Sequence, residues 1–192
     1  MSRICAQGQA RVSDRSESSE NHIPLKPQDQ AEPVMPPLMP AFYNNTLQIV
    51  QTRESVVLLS EQIHDARVIA LTRQTHLPAS VQRWAGDSIG HWEGDTLVVD
   101  TTNFSPRTTL RGSGTGLHLV ERFSREDDQT LRYEFTLDNP EIWTKPFTVS
   151  MPMARSDEMV FEYACHEANY AMGNILRGAH QREADAKKGS SR

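Results

Sequence analysis

Cysteine is nearly absent from this sequence: 192 residues hold only Cys5 and Cys165. Two cysteines cannot build the disulfide framework of a small secreted domain, so stability must come from a hydrophobic core, for which the chain is long enough. They read as two free thiols, with one long-range bridge as the alternative. The chain also lacks any apolar run near the roughly eighteen residues of a membrane-crossing helix, so no membrane partner is expected. Concentrated positive charge is missing too. Lys and Arg number 20 against 25 Asp and Glu, the signs are interspersed, and the net charge is −5. A nucleic-acid footprint needs a basic face, so that class of partner is excluded. The opening segment, Met1 to Asn21, has no apolar stretch of the kind an export signal requires. A cytoplasmic protein is the plain expectation and an export signal outside this sequence the second, so localisation stays open.

Proline, scarce elsewhere, crowds residues 1–40 at positions 24, 27, 33, 36, 37 and 40. Together with Ser, Glu and Gln this reads as a disordered or extended N-terminal arm. A single domain follows at 41–186, then a polar tail at 187–192. An extended arm can lie along a neighbour's sheet, so a homodimer through the arm is the protein partner the pattern suggests.

Within the domain, strand signals recur at 46–52, 55–63, 66–72, 88–93, 96–102, 117–125, 129–138, 146–153 and 158–166. Most of the links are short, and short links join antiparallel neighbours. The expected fold is all-β: an antiparallel up-and-down meander of about eight or nine strands closing into a lipocalin-like barrel, which removes exposed edges. After His166 the apolar period becomes helical (Met172, Ile175, Leu176, Ala179), predicting one C-terminal helix over 168–186 on the outside or across one mouth. Two links are long. Gln74 to Asp87 has no clear signature. Ser105 to Gly116 carries Gly112, Gly114 and Gly116 and reads as a flexible rim loop, since no helix follows to make it a phosphate cradle.

The clearest local signal is Gly86 to Phe104. A turn at Glu93-Gly94-Asp95 joins two strands, Gly94 supplying the positive φ that a tight hairpin needs. The following run, Thr96 to Thr102, is β-branched at nearly every position.

Alternation sorts the faces. Leu131, Tyr133, Phe135 and Leu137 share a core face. Leu119, Glu121 and Phe123 do likewise, which sets Glu121 among apolar side chains, and Glu61 sits similarly with Val57, Leu59 and Ile63. Burial raises a carboxyl pKa and suits it to acid or base work. The alternatives are an ion pair with Arg67 or Arg122 holding the interior together, or a bulge turning Glu121 to water. The structural readings outweigh the catalytic one.

Three chemistries were weighed against spacing. Histidines at strand ends (His64, His118, His166) with Glu121 suit a catalytic zinc in kind, but His118 and Glu121 are three apart and diverge on a strand. There is no Gly-x-Ser-x-Gly elbow, and Cys165 next to His166 cannot easily bond to it. Acid–base chemistry without a cofactor remains, with Glu121, His118 and Tyr163 as candidate catalytic residues. Glu61, His64, Arg67, Trp92 and His166 are the candidate ligand contacts.

The segments Tyr43-Asn44-Asn45, Gln48 to Thr52, Ile63-His64-Asp65-Ala66-Arg67, Gly86 to Phe104, His118 to Phe123 and Tyr163-Ala164-Cys165-His166-Glu167 carry a resemblance. Over about residues 40–180 the chain resembles a large group of uncharacterised bacterial proteins, many of them with an export signal. The resemblance implies an exported origin and brings no activity or catalytic residue with it. Many members carry an Arg-Cys pair before the first strand; here Gln28-Asp29-Gln30-Ala31-Glu32 stands there, which supplies no partner for Cys165. The expected function is binding of a small, partly apolar ligand inside the barrel. A cofactor-independent lyase, isomerase or hydratase is the alternative, and a His-ligated metalloenzyme the second.

Overall fold

The computed structural model describes residues 9–12, 36–40, 44–107, 113–161, 163 and 170–189. The strands are β1 (Gln9–Val12), β2 (Thr46–Gln51), β3 (Ser55–Ser60), β4 (Ala66–Ala70), β5 (Asp87–Glu93), β6 (Thr96–Thr102), β7 (His118–Arg125), β8 (Thr130–Asp138) and β9 (Phe147–Ser156). Strands β2 to β9 follow one another around a nearly closed barrel-shaped sheet, and β1 lies between β9 and β2 at the seam. Among the described residues there is one α-helix, α1 (Ala171–Gly189), near the expected 168–186.

The barrel departs from the sequence reading in three places. The ninth strand is not 158–166. Residues 157–161 and 163 are irregular, Cys165 and His166 lie outside the described residues, and the place beside β9 is held by β1. Within the segment read as an arm, Ala10 registers with both Leu47 and Arg155. Gln-Ala-Arg-Val does alternate polar and apolar, but four residues within a Ser-, Glu- and Gln-rich segment are too few for the period to stand out.

The second departure is the β4–β5 joint. Every other neighbouring pair is antiparallel, but Ala70 meets Ile89 in a parallel bridge. The 71–86 connection is long enough to carry the chain back to the same end before β5 begins. The strands come close there because residue 90 is glycine: a Cβ at Gly90 would stand 2.7 Å from Ile69 Cγ2.

The third is the phase of β3. Val56, Leu58 and Ser60 are the buried set, while Val57 and Leu59 are only partly buried. Four apolar residues in a row, Val56 to Leu59, carry no alternation, so register with β2 and β4 decides which pair faces in. Glu61 lies beyond the strand end rather than in its inward row.

On the remaining strands alternation holds. Leu47 and Ile49 of β2, Leu97 and Val99 of β6, Leu119 and Phe123 of β7, Leu131 to Leu137 of β8 and Met153 of β9 fill one contiguous core. Tyr133 stacks at a tilt between Phe123 and Phe135, with centroids 4.9 and 5.6 Å away.

By contact density the chain divides into two compact units, Met1–Glu162 and Tyr163–Arg192. In the second, Asn174 N donates to Tyr170 O over 3.0 Å, and Gln181 Nε2 reaches Asp185 Oδ1 one turn on at 3.1 Å.

Candidate functional site

Two charged residues face each other inside the apolar barrel. Arg67 projects inward from β4 and is 3% exposed; Glu121 projects inward from β7 and is fully buried. These strands are three places apart around the sheet, so the pair spans the interior rather than joining neighbours. Arg67 Nη2 donates to Glu121 Oε1 at 2.9 Å, and Nη1 stands 2.7 Å from Oε2. Tyr133 Oη, from β8, donates to the same Oε1 at 2.7 Å. The Nη1–Oε2 approach is an ion contact without hydrogen-bond alignment. Among the described residues, Arg67 Nε, Arg67 Nη1 and Glu121 Oε2 therefore make no hydrogen bond. A buried guanidinium normally satisfies its N–H groups, so these unused donors mark a polar position with unfilled capacity.

The phenol of Tyr133 is committed. Burial, and then the neighbouring Glu121 charge, push its pKa well above 10. It stays protonated, its proton goes to Glu121, and its oxygen can only accept from elsewhere. What it accepts is the backbone N–H of Leu38, at 3.0 Å. Leu38 is itself buried in the core cluster. The segment 36–40 thus reaches into the barrel and ends on the Arg67–Glu121–Tyr133 group.

Beside Leu38 lies a pocket of about 20 Å³ lined by Asn44, Asn45, Thr46, Leu47 and Ser60, room for about one water. Backbone strain gathers at this corner, where β2 starts and β3 ends. Asn44 (φ 56°) and Ile63 (φ 62°) are left-handed, uncommon for any side chain and a true outlier for the β-branched Ile63. The corner is held by Glu61. Its N–H donates to Thr46 O at 2.9 Å, while its carboxylate accepts from Thr46 N at 3.4 Å and from Phe161 N at 3.2 Å.

A second charged group lies on the outer face of β5, β6 and β7. Asp87 is fully buried beneath the 71–86 connection. Arg73 grips it with Nη2–Oδ1 at 2.7 Å and Nη1–Oδ2 at 3.1 Å, and Leu77 N donates to it at 3.0 Å. Burial opposes ionisation of Asp87, but these bonds and that from His76 outweigh it and bring the pKa to about 2. His76 bridges onward, with Nδ1 3.2 Å from Asp87 and Nε2 2.8 Å from Asp100. His118 Nε2 meets the other oxygen of Asp100 at 3.0 Å. That bond holds the Asp100 pKa below and the His118 pKa above its ordinary value. Asn103, left-handed at φ 57°, donates to Leu77 O at 2.8 Å. This chain of charges fastens the crossing loop over the parallel joint.

Of the residues singled out from sequence, Glu121 and Arg67 meet. His118 does not join them, because it is on the outer face with Asp100. Arg122, the other arginine considered for Glu121, also faces outward, to Glu93 at 2.5 Å. Glu61 is at the strained corner as a backbone anchor. Trp92 packs against the core from β5. His64 is on the 3-10 turn Gln62–His64, its side chain outside the described residues, as is all of His166. Tyr163 belongs to the second unit. Among the described residues no group of three His, Cys, Asp or Glu is placed to hold a metal ion.

Sequence reasoning missed Tyr133 as part of the site, having placed it in the core. The available signal was its hydroxyl, which needs a partner when buried. It also missed Asp87, Asp100 and His76. Counting outward from the turn at Gly94 sets Asp100 opposite Ile89 and Asp87 opposite Thr102, so both carboxylates share the outer face. No family profile, curated protein or solved structure matches this chain.

Proposed function

We propose that this protein is a small-molecule-binding β-barrel, which holds a partly apolar ligand with its polar end at Arg67, Glu121 and Tyr133. The observation that carries the reading is Arg67: a buried cation beneath a capping segment, with an unaligned Nη1 and an Nε–H that has no hydrogen-bond partner among the described residues, whereas the buried hydroxyls of Ser88 and Thr101 satisfy each other at 2.9 Å. A group held only for stability does better when its donors are all used. Strain at Asn44 and Ile63, on the rim where the cap enters, fits a site that rearranges to admit a ligand.

Binding is favoured over acid–base catalysis by the state of Glu121. Its charge is matched by Arg67 and its Oε1 accepts two hydrogen bonds, which suits fixing a head group better than moving a proton. The candidate His118 is on the far side of the sheet wall. Glu61 and Trp92 have a place here as rim and wall rather than as chemistry.

The test is recovery of bound compounds. The full chain is incubated with a small-molecule extract, washed, denatured, and the released molecules identified by mass spectrometry. A Arg67→Met, Glu121→Met double variant serves as control, because replacing a buried pair by apolar side chains tends to preserve the fold. The expected result is a compound released by the natural chain and not by the folded double variant. Equal release from both, or none from either, overturns the proposal.

A further inference from the structure

The ligand's chemistry can be read from what now occupies its place. This step rests on the binding reading above. Leu38 brings two things to the polar group: an N–H, given to Tyr133 Oη at 3.0 Å, and an aliphatic side chain buried in the core. Tyr133 Oη is an acceptor only, since its proton is held by Glu121 Oε1 at 2.7 Å. Arg67 Nε is a donor only, and has no acceptor among the described residues. A molecule that replaces Leu38 must therefore offer a donor to Tyr133, and gains further if it offers an acceptor to Arg67. The charge of Arg67 is already matched by Glu121, so an ionised head group would arrive as an unpaired buried charge, which is costly.

We infer that Leu38 is an internal stand-in for the ligand, and that the ligand class is a small neutral amphiphile with an aliphatic end and an amide-like head carrying both a hydrogen-bond donor and an acceptor. The 36–40 segment competes with it. Binding withdraws Leu38, frees its volume together with the adjoining pocket at Asn44, Thr46 and Ser60, and hands Tyr133 Oη from a backbone N–H to the ligand's. Because the competitor is covalently attached, apparent affinity is lowered by the fraction of time the site is plugged.

Two probes of equal chain length separate the requirements: hexanamide, with donor and acceptor, and methyl hexanoate, with acceptor only. The readouts on the full chain are thermal shift and hydrogen exchange of the Leu38 amide. Hexanamide is expected to raise the melting temperature and to speed exchange at Leu38, while methyl hexanoate does neither at the same concentration. Leu38→Ala, which weakens the plug, should bind hexanamide about tenfold more tightly. Tyr133→Phe should erase the preference for amide over ester.

Equal response to both probes overturns the ligand class while leaving barrel binding intact. Binding of hexanamide with no change in Leu38 exchange overturns the stand-in role. If Leu38→Ala does not fold, the exchange measurement on the natural chain decides alone. Release of an extract compound with no response to either probe refutes this inference and leaves the binding proposal standing.

Discussion

Replacing Asp87 by Asn tests whether the outer charge chain holds the barrel at its parallel joint. The joint has one bridge pair, Ala70 with Ile89, where other neighbours have full ladders, so its closure depends on the loop fastened over it. The Asp87 pKa falls from 3.8 to about 2 on folding, which corresponds to about 2 kcal/mol at neutral pH. Solvent around Arg73, 32% exposed, trims this to about 1–2 kcal/mol. Asn keeps one acceptor oxygen, which in the place of Oδ2 still meets Leu77 N and His76, but its NH2 group then faces Arg73 Nη2 where Oδ1 accepted at 2.7 Å, and the total cost comes to about 2–4 kcal/mol. For a domain of this size that lowers the melting temperature by roughly 4–15 °C. The pH dependence carries the sign. A carboxyl whose pKa is depressed by folding adds stability above its unfolded value and loses it as pH falls. The gap between natural chain and Asp87→Asn should therefore be constant above about pH 5 and close between about pH 4 and 2. Urea titrations at pH 7, 5, 4 and 2.5 measure it. A gap absent at pH 7, or undiminished at pH 2.5, refutes the reasoning.

Three other outcomes follow from the same structure. Glu121→Gln leaves the Arg67 charge unmatched inside the barrel and should cost about 3–5 kcal/mol, while Arg67→Met with Glu121→Met should be near neutral or stabilising; chemical denaturation of both decides, and a harmless Glu121→Gln contradicts the pairing. His118 should titrate above 6.5 in an NMR pH series, and His118→Gln should lower stability by less than about 1 kcal/mol below that pH, the difference vanishing as pH rises through the folded value, since a raised histidine pKa stabilises only while the ring is protonated. Gly90→Ala sets a Cβ 2.7 Å from Ile69 Cγ2 and 3.1 Å from Leu71 Cδ2, and should cost about 1–3 kcal/mol by crowding; a melting temperature equal to that of the natural chain would contradict the close β4–β5 approach.

How far the sequence could be read depended on the kind of signal. Strict alternation on β7 and β8 placed Glu121 among apolar neighbours, and Glu121 is fully buried. Arg67 was one of two arginines considered for it. Alternation by itself sets Arg122 on the face opposite Glu121; what no local pattern shows is that Arg67, three strands away around the sheet, reaches across the interior to it. The apolar run Val56 to Leu59 left its phase open, and Glu61 was misplaced as a result. The strand at Gln9–Val12 alternates over four residues only and has no short link to β2, so its partners reveal it. In the Gly86 to Phe104 segment the hairpin was plain, but the reason for its polar residues was not. Asp87, Asp100 and Asn103 serve the 71–86 connection, which folds back over the strands it leads into, a relation periodicity does not encode.

The binding claim is tested most directly at Arg67 itself. The side-chain Nε–H of a buried arginine gives its own NMR resonance, assignable by its loss in Arg67→Lys. On addition of a compound recovered from the barrel, that resonance is predicted to shift with a slow-exchanging Nε–H, together with the Leu38 amide. A compound that binds while the Arg67 Nε–H stays unmoved would contradict the account.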